Sequence, residues 1–131
     1  MNYLLDTNTC IYLMKNHTPV VDRYKANRHM GIAVSTITTA ELYFGVYNSA
    51  SPEKNGANLA SFLIGLEILE FDDSAAIECG RMRAVLRRQG TPVGPMDTLI
   101  AAHAKSQRLV VVTNNVQEFA RIEGLELENW V

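Results

Sequence analysis

The run Leu109-Val110-Val111-Val112 constrains this chain more than any other segment. It is apolar without a break and mostly β-branched. That is the pattern of a strand covered on both faces, as in a parallel sheet between two layers of helices. Two further short apolar runs behave alike, Tyr3-Leu4-Leu5 and Gly31-Ile32-Ala33-Val34-Ser35. Residues 68–71 read as another short strand, and residues 125–130 alternate apolar with acidic positions, which suits a final edge strand. Between the strands lie helical patterns over residues 9–15, 20–28, 38–46, 59–66, 75–89, 98–106 and 116–121. Residues 48–58, rich in Ser, Asn and Pro, read as a loop or a frayed helix junction, and residues 90–95, with two Gly and two Pro, as irregular. Strand and helix alternate from end to end. The expectation is one α/β domain over residues 1–131, with a mainly parallel central sheet and helices on both faces.

A net charge of −2 argues against broad electrostatic capture of nucleic acid, so any such function must rest on local basic patches and a metal. Cys10 and Cys79 stand alone in apolar surroundings, without CxxC spacing, and read as reduced core thiols rather than zinc ligands. The first residues carry no basic leader, Asp6 interrupts their apolar run, and no apolar stretch approaches the ~20 residues of a membrane span. The reading is a cytoplasmic protein without membrane association.

In open parallel sheets, ligands bind beyond the carboxyl ends of the strands. Asp6 ends the first strand, Glu41 follows the second, Asp97 opens the helix after the Gly/Pro loop, and Asn114, Asn115 and Glu118 follow the last long strand. Each has a plain structural explanation. Asp6 could cap a helix, Thr38-x-x-Glu41 and Asn115-x-x-Glu118 match capping boxes, and Asp97 could complement a helix dipole. Asp97 is the hardest to dismiss. It shares an i, i+3, i+4, i+7 stripe with Ile100, Ala101 and Ala104, where a charge is costly unless paired or metal-bound, and no Lys or Arg lies within a turn. If Asp6, Glu41 and Asp97 converge, a divalent cation relieves their repulsion. An all-oxygen donor set selects Mg2+ or Mn2+ over zinc.

Five segments together resemble the PIN-domain family. They are Leu5-Asp6-Thr7-Asn8, Thr39-x-Glu41-Leu42, the stretch Gly94-Pro95-Met96-Asp97-Thr98, Val112-Thr113-Asn114-Asn115 with Glu118-Phe119, and the ending Gly124-Leu125 to Asn129-Trp130. The last two are similar to the VapC toxins of toxin–antitoxin pairs in particular. The resemblance spans essentially the whole chain and implies a Mg2+-dependent endoribonuclease that slows translation. It implies tRNA as substrate, initiator tRNA cut in the anticodon loop, and silencing by a VapB-type antitoxin. It also implies a homodimer that meets operator DNA only through the antitoxin. Carried over by position, Asp6 and Asp97 are the principal metal ligands, Glu41 is the third acid, and Thr7 or Asn8 positions a ligand or phosphate. Many members carry a fourth acid where this chain has Asn114-Asn115, which leaves Glu118, Asn114 and Asn115 as candidates for that place.

Arg81, Arg83, Arg87 and Arg88 on one helix, and Lys15, Arg23, Lys25 and Arg28, are either phosphate contacts or solvated faces. Tyr43, Phe44 and Tyr47 are either core or a partner groove, His103 reads as packed or surface rather than catalytic, and Trp130 as a packed anchor. Two rival functions carry less. An aspartyl-nucleophile phosphohydrolase commonly has a second acid two residues after the first, where this chain has Asn8. A non-catalytic binding module has no need to keep Asp6, Glu41 and Asp97.

Overall fold

The computed structural model describes residues 2–131. β1 (Tyr3–Leu5), β2 (Ile32–Ser35), β3 (Glu67–Leu69), β4 (Val110–Val112) and β5 (Leu127–Glu128) form one sheet in the order β3-β2-β1-β4-β5. Every pairing among them is parallel. Side-chain alternation divides the strands between two cores. Leu4, in register with Ala33 and Val111, faces one layer, and Leu5, in register with Val112, faces the other.

On the Leu4 face lie α5 (Asp73–Gln89), α6 (Pro95–Ser106) and Phe119 of α7 (Val116–Phe119). On the Leu5 face lie α1 (Thr7–Met14), α2 (Thr18–Asn27), α3 (Thr36–Tyr47) and α4 (Pro52–Ile64), with Val20, Leu42, Leu59 and Leu63 turned inward. Trp130 seals this side. It is buried, packs edge-on to Tyr3 at 5.3 Å between ring centroids, and donates its Nε1–H to Glu128 at 2.9 Å. Both cysteines are buried and unpaired. No helix among the described residues is long and apolar enough to cross a membrane.

The sheet and both helical layers match the sequence expectation, three local expectations are corrected, and one open alternative is decided. Residues 48–58 are not a loop throughout, because α4 begins at Pro52. Pro52 and Glu53 form a helix start that Asn55, Gly56 and Asn58 disguise, and burial of Leu59 and Leu63 outweighs those weak helix formers. α3 begins at Thr36, capped by the Ser35 hydroxyl accepting the Ile37 N–H at 3.1 Å, so Thr38 and Glu41 are not a capping box. At α7 the Asn115 side chain makes no cap bond and instead donates to Glu118. Tyr43, Phe44 and Tyr47 are not core, standing 41%, 69% and 77% exposed.

The strand order places the functional end of the domain. The chain runs outward from β1 to β2 and β3, then returns through α5 and α6 to lay β4 on the other side of β1. Connections on the two sides of this β1–β4 junction diverge, leaving a crevice beyond the strands' carboxyl ends. Because Leu5 is fully buried and Ile64 is 85% exposed, Leu5→Ala should cost about 3 kcal/mol and Ile64→Ala less than about 0.5 kcal/mol. Urea unfolding followed by circular dichroism checks both, with the m-value expected to stay constant.

Candidate active site

Asp6 closes β1 in extended backbone and serves at once as the N-cap of α1. Its Oδ1 accepts the Thr9 N–H at 2.8 Å. The Asp6 N–H donates to Val112 O at 3.0 Å, and the Thr9 hydroxyl donates to the same carbonyl at 3.0 Å, so the residue is pinned across the β1–β4 junction. The capping explanation for Asp6 is therefore correct, yet incomplete, since only 3% of the residue reaches solvent. Burial pushes its carboxyl above the ordinary range, against the opposing hydrogen bonds from Thr113 and Thr9.

Glu41 lies in the second turn of α3, and its Oε1 accepts the Thr7 hydroxyl at 2.6 Å. Asp97 lies in the first turn of α6, at the open end of a stripe whose Ile100, Ala101 and Ala104 are fully buried. Its carboxyl is pushed up to about 6 by burial first, then by the charges of Glu118, Asp6 and Glu41, against the hydrogen bond from Asn115. Asp97 thus senses the other three acids singled out in the sequence.

Glu118, on α7, differs from the others. One oxygen accepts the Gly94 N–H, and the other accepts Asn115 Nδ2 at 2.7 Å. These bonds hold its carboxyl below the ordinary range. Asn115 Nδ2 also lies 3.4 Å from Asp97 Oδ2, linking the two acids, whereas Asn114 turns away to the Tyr12 hydroxyl at 3.4 Å. Of the three candidates for a fourth acidic place, Glu118 and Asn115 face Asp97 and Asn114 does not. A Cβ on Gly94 would stand 3.3 Å from Glu118 Oε1, so a larger residue there would crowd this contact.

Thr113, fully buried, escaped the sequence reading as a site residue. Its hydroxyl accepts the Asn115 N–H at 2.9 Å, and it lies near enough to Asp6 to oppose the effect of burial on that carboxyl. Its signal was positional, since it follows β4 as Asp6 follows β1. His103 stays outside the site. It is fully buried, with Nδ1 2.7 Å from the Ser35 hydroxyl and its ring edge-on to Phe71, which makes it a packing residue.

The donor set is carboxylate and hydroxyl oxygen with no His or Cys, which fits a hard divalent cation and not zinc. Among the described residues no three acidic, His or Cys side chains stand close enough to form a finished cage. The carboxylates are instead coupled through charge, and a cation would relieve that repulsion.

The raised Asp97 carboxyl makes a signed prediction. Its contribution to stability is fully present below about pH 4 and is lost as pH rises through about 6. Asp97→Asn, which cannot ionise, should stabilise the metal-free protein at pH 8 by about 1 kcal/mol once solvent screening is allowed for, or ~4 °C in Tm. The gain should vanish at pH 4, as thermal melts in EDTA would read. An equal gain at both pH values would contradict the assignment.

Comparison with known proteins agrees with this fold. The family model described as "PIN domain" matches residues 3–125. The tRNA(fMet)-specific endonuclease VapC of Salmonella typhimurium is 47% identical over 99% of this chain and 98% of its own. Ribonuclease VapC2 of Haemophilus influenzae (strain Rd) is 42% identical over 100% of this chain and 99% of its own. The crystal structure of DNA-bound VapBC from Salmonella typhimurium superposes with a TM-score of 0.95 at 46% identity, covering 100% of this chain and 99% of that one. That of VapBC-1 from nontypeable Haemophilus influenzae gives 0.87 at 34% identity, covering 99% and 98%. With the family model matched over residues 3–125 and full-length relatives sharing both sequence and fold, the chain belongs to the PIN-domain family as a VapC-type toxin of a VapBC toxin–antitoxin system.

Proposed function

We propose that this chain is a Mg2+-dependent endoribonuclease that cuts tRNA, initiator tRNA in its anticodon loop first, and is silenced by a VapB-type antitoxin. The observation that carries this reading is that the Asp97 carboxyl, at the β1–β4 crevice, is raised by burial and by the charges of Glu118, Asp6 and Glu41. It is supported by the 47% identity to a tRNA(fMet)-specific endonuclease over nearly the full length of both chains.

Asp6 and Asp97 are the residues that would hold the ion, with Glu41 as the third acid; Mn2+ could substitute. When bound, such an ion supplies charge neutralisation at the phosphate and activation of water for in-line attack. The protein's own part is positioning. The Thr9 amide and Thr113 hydroxyl orient Asp6, and the Thr7 hydroxyl holds Glu41. Glu118, with both oxygens engaged by Gly94 and Asn115, pins the loop before α6 and so fixes where Asp97 stands. Glu118 acts as a positioning residue in this scheme, and Glu118→Gln should lower activity by about 10–100-fold, as cleavage time courses at saturating Mg2+ would read.

Antitoxin control would use the groove between α1, α3 and α4. This cavity of about 740 Å3 is lined by Ile11, Met14, Leu42 and Phe62 and reaches Thr7 and Glu41. An amphipathic segment seated there would lie against the acid centre. The DNA in the related VapBC structures would be met through the antitoxin. A second copy of the chain would complete a homodimer.

The test is incubation of the purified, antitoxin-free chain with total bacterial RNA, with and without Mg2+, followed by sequencing of new RNA ends. Discrete cuts in one or a few tRNAs, dependent on metal and absent with Asp97→Ala, are expected. Mg2+ should also raise the Tm of the wild type by several degrees at concentrations far above its Kd. Identical cuts by wild type and Asp97→Ala would sink the site, and folded protein that neither cuts nor responds to Mg2+ would sink the activity.

A further inference from the structure

α5 carries its arginines in two environments. Arg81 is paired with Glu78 at 3.0 Å, and Glu78 also lies 3.6 Å from Lys105. Arg83 and Arg87, one turn apart, have no carboxylate partner among the described residues. Like charges at this spacing repel, so the arrangement works against the helix. The helix dipole compensates Arg87, which is in the last turn, but not Arg83.

Both side chains line one cavity of about 800 Å3, within the ~300–1,000 Å3 range of small-ligand pockets. Its other wall is the segment joining α5 to α6, including Gly90, Pro92 and Val93, together with Thr98 of α6. This wall is continuous with the acid centre. Gly94 beside Val93 donates to Glu118, and Thr98 beside Asp97 donates its hydroxyl to Gly94 O at 2.9 Å. The Arg121 guanidinium braces the same segment by donating to Pro92 O at 2.7 Å. The acid centre alone would repel a polyanion. An adjoining concavity with two unpaired guanidiniums and an apolar Pro-Val wall supplies the opposite charge next to it.

We infer that the cavity between α5 and the 90–95 loop is a substrate subsite, in which Arg83 and Arg87 hold a backbone phosphate of the RNA strand flanking the scissile bond and Pro92-Val93 contacts the adjoining sugar and base. This rests on the ribonuclease reading above. Of the basic residues noted in the sequence, it selects two and leaves Arg81 and Arg88 as surface charges. Arg83 and Arg87 contact substrate but take no part in bond breaking. Their loss should therefore appear in RNA affinity and KM rather than in kcat.

The experiment compares wild type with Arg83→Gln, Arg87→Gln and Arg88→Gln, the last on the same helix but outside the cavity lining. RNA binding is measured by fluorescence anisotropy on an Asp97→Asn background, and cleavage on the Asp97 background. Each cavity variant should weaken binding about tenfold. Each should also reduce the slope of log K against log salt by about 0.7, the share of one phosphate on a single strand. KM should rise with kcat within about twofold, while Arg88→Gln stays near wild type in every measure. These arginines are exposed, and an unchanged Tm confirms intact folding. Equal losses in Arg88→Gln would reduce the effect to general charge and overturn the subsite. Cavity variants that bind RNA like wild type but lose dimer mass in light scattering would assign the surface to a second copy and overturn it as well. A wild type that cuts no RNA would instead overturn the ribonuclease reading itself.

Discussion

Repulsion of the buried Asp97 carboxyl by its acidic neighbours at the β1–β4 crevice is the constraint around which the rest of the molecule is arranged. Asp6 is nearly sealed from water, and Asp97 senses Glu118, Asp6 and Glu41 together. A cluster of that kind opposes folding unless neighbours hold it, and here they do. Backbone amides of Thr9 and Gly94, the Thr7 hydroxyl and the Asn115 amide each donate to one of its oxygens, and Thr113 opposes the effect of burial on Asp6. The donors come from α1, the segment before α6 and the turn after β4, so the two-sided core must be intact before the site exists. Stability is concentrated in the sheet and its two apolar layers, and the penalty is concentrated at the crevice where ligand would relieve it.

The parallel topology explains why one small domain can assemble such a centre. Each strand delivers its last residue to the same edge, and each following helix begins there. Asp6 and Thr113 are strand-end residues at neighbouring strands, while Glu41 and Asp97 sit in early turns of helices that start at that edge. Positions 91 residues apart, Asp6 and Asp97, thereby share one electrostatic environment. The same geometry sets the segment between α5 and α6 beside the acids. A domain of net charge −2 thus has arginines close to an acidic centre without neutralising it.

Several residues have two structural roles, and this blurs the distinction between architectural and chemical readings. Asp6 is a helix cap and a buried acid at once, so the sequence alternatives of cap and ligand were never exclusive. Glu41 matched a capping box by spacing, but Ser35 takes the capping position and frees Glu41 to meet Thr7. Asn115 occupies the N-cap position of α7 yet uses its side chain to bridge two acids.

The sequence by itself determined the fold class, the two-faced burial of the sheet and the placing of the acids near strand ends and helix starts. These depend on periodicity and on local strand-to-helix order, which a linear pattern records directly. Apolar runs such as 109–112 and the stripe from Asp97 to Ala104 announced where the chain would bury itself. Only the tertiary structure decided the start of α4 within a Ser/Asn-rich stretch, the exposure of Phe44 and Tyr47, the role of Thr113, and which arginines stand unpaired at a cavity. Those outcomes turn on contacts between residues distant in sequence. There, packing can override weak helix propensity, and charge partners are chosen by proximity in space rather than spacing along the chain.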